Sequence, residues 1–134
     1  MNKAIMLASE NIHTLHKWIQ QVFTDRNGKG LDVMGELISS FDQEFTMVTQ
    51  QGRVIGLPEV KQLFTSSLGK RPKLEIIIED VVPIFDDNGI VTIRYCESHH
   101  ECHLYKRRIS TVIIDTSNEQ LRWLYLHETP ISER

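Results

Sequence analysis

The chain has 134 residues, 40% hydrophobic and 25% charged, which predicts one soluble domain spanning residues 1–134 and excludes collagen-like, low-complexity and disordered chains. Fifteen basic against eighteen acidic residues leave a formal charge of −3, so no overall field recruits nucleic acid or an anionic membrane surface. Cys96 and Cys102 are too few for a disulfide scaffold, no apolar run approaches a membrane span, and the N-terminal stretch lacks the features of a signal peptide. The expectation is a reduced, cytoplasmic protein.

The first segment is helical by period. Ile5, Ala8, Ile12, Leu15, Ile19 and Val22 recur at steps of three and four, and Phe23 widens the stripe. Asn2 or Ser9 is the expected N-cap, and Asn27-Gly28 with Gly30 the stop. His13, His16, Lys17 and Gln20 are read as lying off the stripe. Leu31–Ser39 reads as a second helix, and Pro58–Leu68 as a third, with Pro58 in its first turn and Gly69 after its end. Glu44–Thr49 and Arg53–Ile55 flank Gln50-Gln51-Gly52 as a short hairpin. Lys73–Phe85, Ile90–Ser98, Leu104–Asp115 and Gln120–Thr129 follow as strands, with Asn88-Gly89 as the turn after the first and His99–His103 as a tip after the second. The order is helix, helix, hairpin, helix and a four-strand antiparallel meander, an α+β fold.

The meander bears on assembly. A strand with one wet face alternates, yet Ile76-Ile77-Ile78, Val81-Val82, Val112-Ile113-Ile114 and Leu124-Tyr125-Leu126 are apolar on both faces. Three helices cover one face only. The expected cover for the other is a second copy of the chain, giving a homodimer through the outer sheet face.

The element order and several short pieces resemble the nuclear transport factor two-like superfamily, which includes ketosteroid isomerase and the SnoaL-like polyketide cyclases. The pieces are Phe41–Val48 followed by Gly52, Tyr95-Cys96-Glu97, Arg107-Arg108-Ile109-Ser110 and Trp123–Thr129, within a span from Ile5 to Thr129. The resemblance implies a cone: a curved, mixed but mainly antiparallel sheet wrapped around the long first helix, with a pocket at the open end. It also implies pairing through the outer sheet face. The superfamily spans isomerases, dehydratases, cyclases, hydrolases and proteins without catalysis, so fold does not carry activity across.

Within such a cone the candidate group is Tyr95, Glu97, Arg108, Trp123, Tyr125 and His127, with Trp18 from the first helix. Tyr95 and Glu97 share a strand face, and alternation puts Trp123, Tyr125 and His127 on one face of the last strand. A carboxylate beside an imidazole in an apolar cavity favours proton abstraction, so Glu97 and His127 are the candidate catalytic residues. Trp18, Tyr95, Arg108, Trp123 and Tyr125 are the candidate ligand contacts. The competing reading is a structural network in which Arg108 pairs with Glu97 and the aromatics pack.

The cluster Cys96, His99, His100, Glu101, Cys102 and His103 carries zinc-type donors. If Ser98 pairs with His103, the donors divide between two faces, so the expected reading is a polar, solvated turn and no metal site. His13 and His16 lack the glutamate of a zincin and are read as a solvated helix face. Lys106-Arg107-Arg108 lacks the aromatic platforms of a nucleic-acid site. No nucleotide or serine-hydrolase motif is present, and no cofactor is expected. The first reading is a small-molecule-binding domain with an apolar pocket. The alternatives are a cofactor-independent isomerase, cyclase or dehydratase using Glu97 or His127 as base, and a dimeric interaction module without catalysis.

Overall fold

The computed structural model describes residues 2–132. Helix α1 spans Lys3–Thr24 and starts where Asn2 Oδ1 accepts the Ile5 N–H at 2.8 Å, the cap expected at the first of the two candidate positions. It stops at Asp25, whose φ of 45° is left-handed. The Asp25 carboxylate then accepts the N–H groups of Gly30 and Leu31 at 3.0 and 3.2 Å, joining the end of α1 to the start of α2, Lys29–Ser39. Gly30 is required there by close approach. A Cβ at this position would fall 2.5 Å from the Gln21 carbonyl oxygen and 2.9 Å from Val22 Cα.

Strands β1 (Phe41–Val48) and β2 (Val54–Gly56) form the expected hairpin, and α3 (Leu57–Ser66) follows with Pro58 in its first turn. The meander consists of β3 (Glu75–Asp87), β4 (Ile90–Glu101), β5 (Leu104–Asp115) and β6 (Arg122–Pro130), each antiparallel to the next. Strand β1 adds to β6 in parallel, giving the order β2-β1-β6-β5-β4-β3. The fold is α+β, with a curved mixed sheet around a long N-terminal helix. Among the described residues no helix is long and apolar enough to cross a membrane.

Two departures from simple alternation decide which residues reach the interior. In β6 the register shifts between the pairs Ile113–Tyr125 and Ile114–Trp123, so Leu124 is an extra residue in the ladder. Trp123 faces the core, and beyond the bulge Leu126 and Glu128 take the inward positions opposite buried Val112 and Ser110. Tyr125 and His127 therefore face outward. In the β4–β5 hairpin the turn is Cys102-His103 alone, with Cys102 at a φ of 55°. Ser98 pairs with Arg107 rather than His103, and β4 continues through His99 to Glu101.

The core follows the predicted stripe. Ala8, Ile12, Leu15 and Val22 of α1 meet Val91, Ile93 and Tyr95 of β4, Val112 and Ile114 of β5, and Trp123 and Leu126 of β6 in one cluster. Phe41 and Phe45 of β1 pack edge-on with centroids 4.8 Å apart, closing the cluster beneath α3.

Candidate functional site

Inward alternation on β4 lines up Tyr95, Glu97 and His99, and α1 supplies His16 from one turn beyond Ile12. Glu97 is 4% exposed, His16 5% and His99 8%. One carboxylate holds both rings. Glu97 Oε1 lies 3.2 Å from His16 Nε2, and Oε2 lies 2.6 Å from His99 Nε2. The other nitrogen of His16, Nδ1, lies 2.8 Å from the Ile12 carbonyl oxygen. Both ring nitrogens of His16 thus face acceptors, which assigns a proton to each and makes the ring an imidazolium.

The electrostatics agree. Burial would lower the His16 pKa, but the Glu97 charge and hydrogen bond outweigh it and raise it above its ordinary value. Burial would raise Glu97, but the charge and hydrogen bond of His16, the hydrogen bond from His99 and the charge of Arg108 hold it well below the usual carboxylate range. Arg108, Glu97's cross-strand neighbour on β5, donates through Nη1 to Glu128 Oε2 at 2.9 Å. Its Nη2 approaches the His99 ring, 3.1 Å from Nε2 and 3.5 Å from Nδ1. With Nε2 donating to Glu97, Nδ1 is the ring's lone-pair nitrogen. Glu128 is buried, and burial outweighs Arg108 to leave its pKa raised.

This network closes one end of a cavity of about 230 Å³. Its walls are apolar: Leu15, Ile19 and Phe23 from α1, Phe41 and Met47 from β1, and Val60 and Phe64 from α3. His16, Glu97, His99, Arg108 and Glu128 form the polar end, with Trp123 and Leu126 beside them and Arg71 at the rim. The Trp123 indole N–H is already committed, donating to Asn11 Oδ1 at 2.6 Å. A buried, charged end on an apolar chamber can orient a polar group of a ligand, and an imidazole held by a carboxylate can exchange a proton with it.

Of the residues named from sequence, Glu97, Arg108 and Trp123 line the cavity. Tyr95 faces the core on the same strand but lies behind His16, its ring edge-on at a centroid distance of 5.3 Å, and is not in the cavity wall. Burial, then the charges of Glu97 and Glu128, push its phenol well above the ordinary pKa, so it stays protonated. Trp18 is half-buried against the core and does not line the cavity. Tyr125 and His127 are corrected by the β6 bulge: they face outward, bonded to each other with Tyr125 Oη 2.9 Å from His127 Nδ1. His127 is exposed and is not placed to act in the cavity.

His16, His99 and Glu128 enter the site without having been singled out for it. His16 had its signal in the sequence: it is four residues from Ile12 and next to Leu15, inside the arc that α1 buries. His99 continues the inward series Tyr95, Glu97, because β4 runs on through the expected tip to Glu101. Of the zinc-type cluster, Cys96 Sγ faces outward and accepts from Arg107 Nη2 at 3.2 Å, while Cys102 is exposed at the turn. Among the described residues no group of three or more His, Cys, Asp or Glu side chains is arranged to hold a metal ion.

No protein-family model and no curated protein matches the sequence. Solved structures do. An NTF-2-like protein of unknown function from Pseudomonas aeruginosa is 28% identical, with a TM-score of 0.86 over 93% of this chain and 98% of that one. A protein of unknown function with a cystatin-like fold from Nostoc punctiforme is 9% identical, with a TM-score of 0.68 over 95% and 93% of the two chains. An NTF2-like protein from Cytophaga hutchinsonii is 11% identical, with a TM-score of 0.63 over 98% and 100%. The chain belongs to the NTF2-like superfamily.

Proposed function

We propose that this protein binds a small, largely apolar molecule in the cavity between α1, α3 and the sheet. One observation carries the reading: an apolar-walled chamber of about 230 Å³ ends on buried, mutually paired ionisable groups. A self-filled cone would leave no such chamber. The test is native mass spectrometry of the protein purified without added ligand, followed by titration with a neutral apolar probe. A carried small molecule or saturable probe binding supports the reading, and neither would remove it.

A second reading is favoured by the 2.6 Å contact between Glu97 and His99. Here the protein is a cofactor-independent enzyme for proton transfer. Glu97 itself is a poor base, since both its oxygens are occupied and its pKa is depressed. His99 is the candidate base: Glu97 fixes its tautomer by accepting from Nε2, and Nδ1 carries the lone pair, which Arg108 Nη2 approaches at 3.5 Å and must release before a proton is taken. Deuterium exchange at the α-carbon of an apolar ketone, lost in His99→Phe, is the corresponding assay.

The same proposal includes a homodimer through the outer sheet face. Phe85 is 64% exposed, and Ile77, Val82 and Ile109 are exposed on the same face. Exposed apolar side chains gathered on one face of a lone chain are a liability that a second copy removes.

A further inference from the structure

Beyond the charged groups that end the apolar chamber lies further space. Arg71, His99 and Arg108 also bound a second recess of about 320 Å³, walled by Gln50, Glu101, Leu104 and Lys106. The two spaces adjoin at those three side chains. Their chemistry differs: one is walled mostly by aliphatic and aromatic groups, the other by polar ones apart from Leu104.

The sign of the charge in the recess opposes that of the protein. The chain carries −3 overall, yet Arg71, Lys106 and Arg108 face a single carboxylate, Glu101, across the recess. Arg71 donates to Glu101 through Nε at 3.0 Å, a bond that does not use its Nη groups. Lys106 is exposed at the outer edge. Glu128, on the far side of Arg108, keeps the surplus of positive charge small. A small surplus suits one negative charge and disfavours a phosphate dianion.

We propose that the cavity takes an amphipathic monocarboxylate, with its apolar body in the chamber and its carboxylate in the recess beside Arg71, Lys106 and Arg108. This rests on the reading that the chamber binds a small molecule. A chamber of about 230 Å³ holds an apolar body of roughly eight non-hydrogen atoms, taking about 30 Å³ for each small group. Octanoate is therefore the natural probe, and 1-octanol its neutral counterpart.

The experiment is calorimetric titration of the full chain at pH 7 with each probe. Octanoate is expected to bind roughly tenfold or more tightly than 1-octanol, the range of a hydrogen bond to a charged group. The advantage should shrink with added salt. Lys106→Gln, at an exposed position that does not disturb the core, should weaken octanoate up to about fivefold and leave 1-octanol unchanged. If 1-octanol binds and octanoate binds no better, the carboxylate assignment is overturned and the chamber reading stands. If Lys106→Gln weakens both probes equally, the assignment of the head to the recess is likewise overturned. If neither probe binds, the chamber reading fails and takes this one with it.

Discussion

At the scale of single residues, Glu97 organises the site. Its carboxylate is desolvated and survives as an anion because two imidazoles and a guanidinium surround it. Removing its charge leaves His16 buried without a counter-charge. Glu97→Gln should therefore lower stability by about 3 kcal/mol, the low end for breaking a buried pair because His16 can shed its proton. Urea denaturation measures this, and an NMR titration should show the His16 pKa falling in the variant. A loss below about 0.5 kcal/mol would mean that the pair is not formed.

The same shifts set a pH window. Glu97 is depressed from 4.5, so its contribution is present above that value and is lost as pH falls through its folded pKa. His16 is raised from 6.5, so its contribution is complete below that value and is lost as pH rises through its folded pKa. Glu128 is raised from 4.5 and works against Glu97, its contribution fading as pH rises through its own folded value. Together they place greatest stability between about pH 4.5 and 6.5, with a decline on each side. Urea midpoints across pH 3.5 to 9 check it, and a flat profile would remove the ion pair from the account.

At the scale of elements, legibility depended on whether a local pattern controlled the outcome. The α1 stripe, the Asn88-Gly89 turn and the Leu104–Asp115 strand were readable because period and turn chemistry specify them directly. The β6 bulge at Leu124 was not, because no glycine or proline marks it and its cause is pairing with β5 and β1. That one residue moved Tyr125 and His127 out of the site and brought Glu128 in. Likewise Arg108 stands across from Glu97 as its strand position implies, yet its hydrogen bonds go to Glu128 and the His99 ring. Side-chain partners across three strands are a tertiary property. The junction of α1 and α2 gives a direct test of the packing described. Gly30→Ala places a methyl 2.5 Å from the Gln21 carbonyl oxygen, so it should cost roughly 1–3 kcal/mol despite alanine's better helix propensity. A thermal melt reads the sign, and a stabilised variant would contradict the junction.

At the scale of the whole molecule, the two faces of the sheet have different tasks. The inner face carries the chamber and its charged end. The outer face carries Ile77, Val82, Phe85 and Ile109, and in the proposed assembly a second copy covers it. Sedimentation at micromolar concentration should give a dimer burying about 1,000 Å² or more in total. Phe85→Lys should shift the protein toward monomer without unfolding it, since the ring is already exposed. A monomer for the unmodified chain would reject the dimer and leave the chamber reading untouched.

The claim that the chamber is a binding site is tested most directly by the two indole N–H signals in a ¹H–¹⁵N spectrum during titration with 1-octanol. Trp123 lines the chamber and Trp18 packs against the core outside it. The account predicts a saturable shift of the Trp123 indole with Trp18 nearly unchanged. An unmoved Trp123, or a shift confined to Trp18, would contradict it.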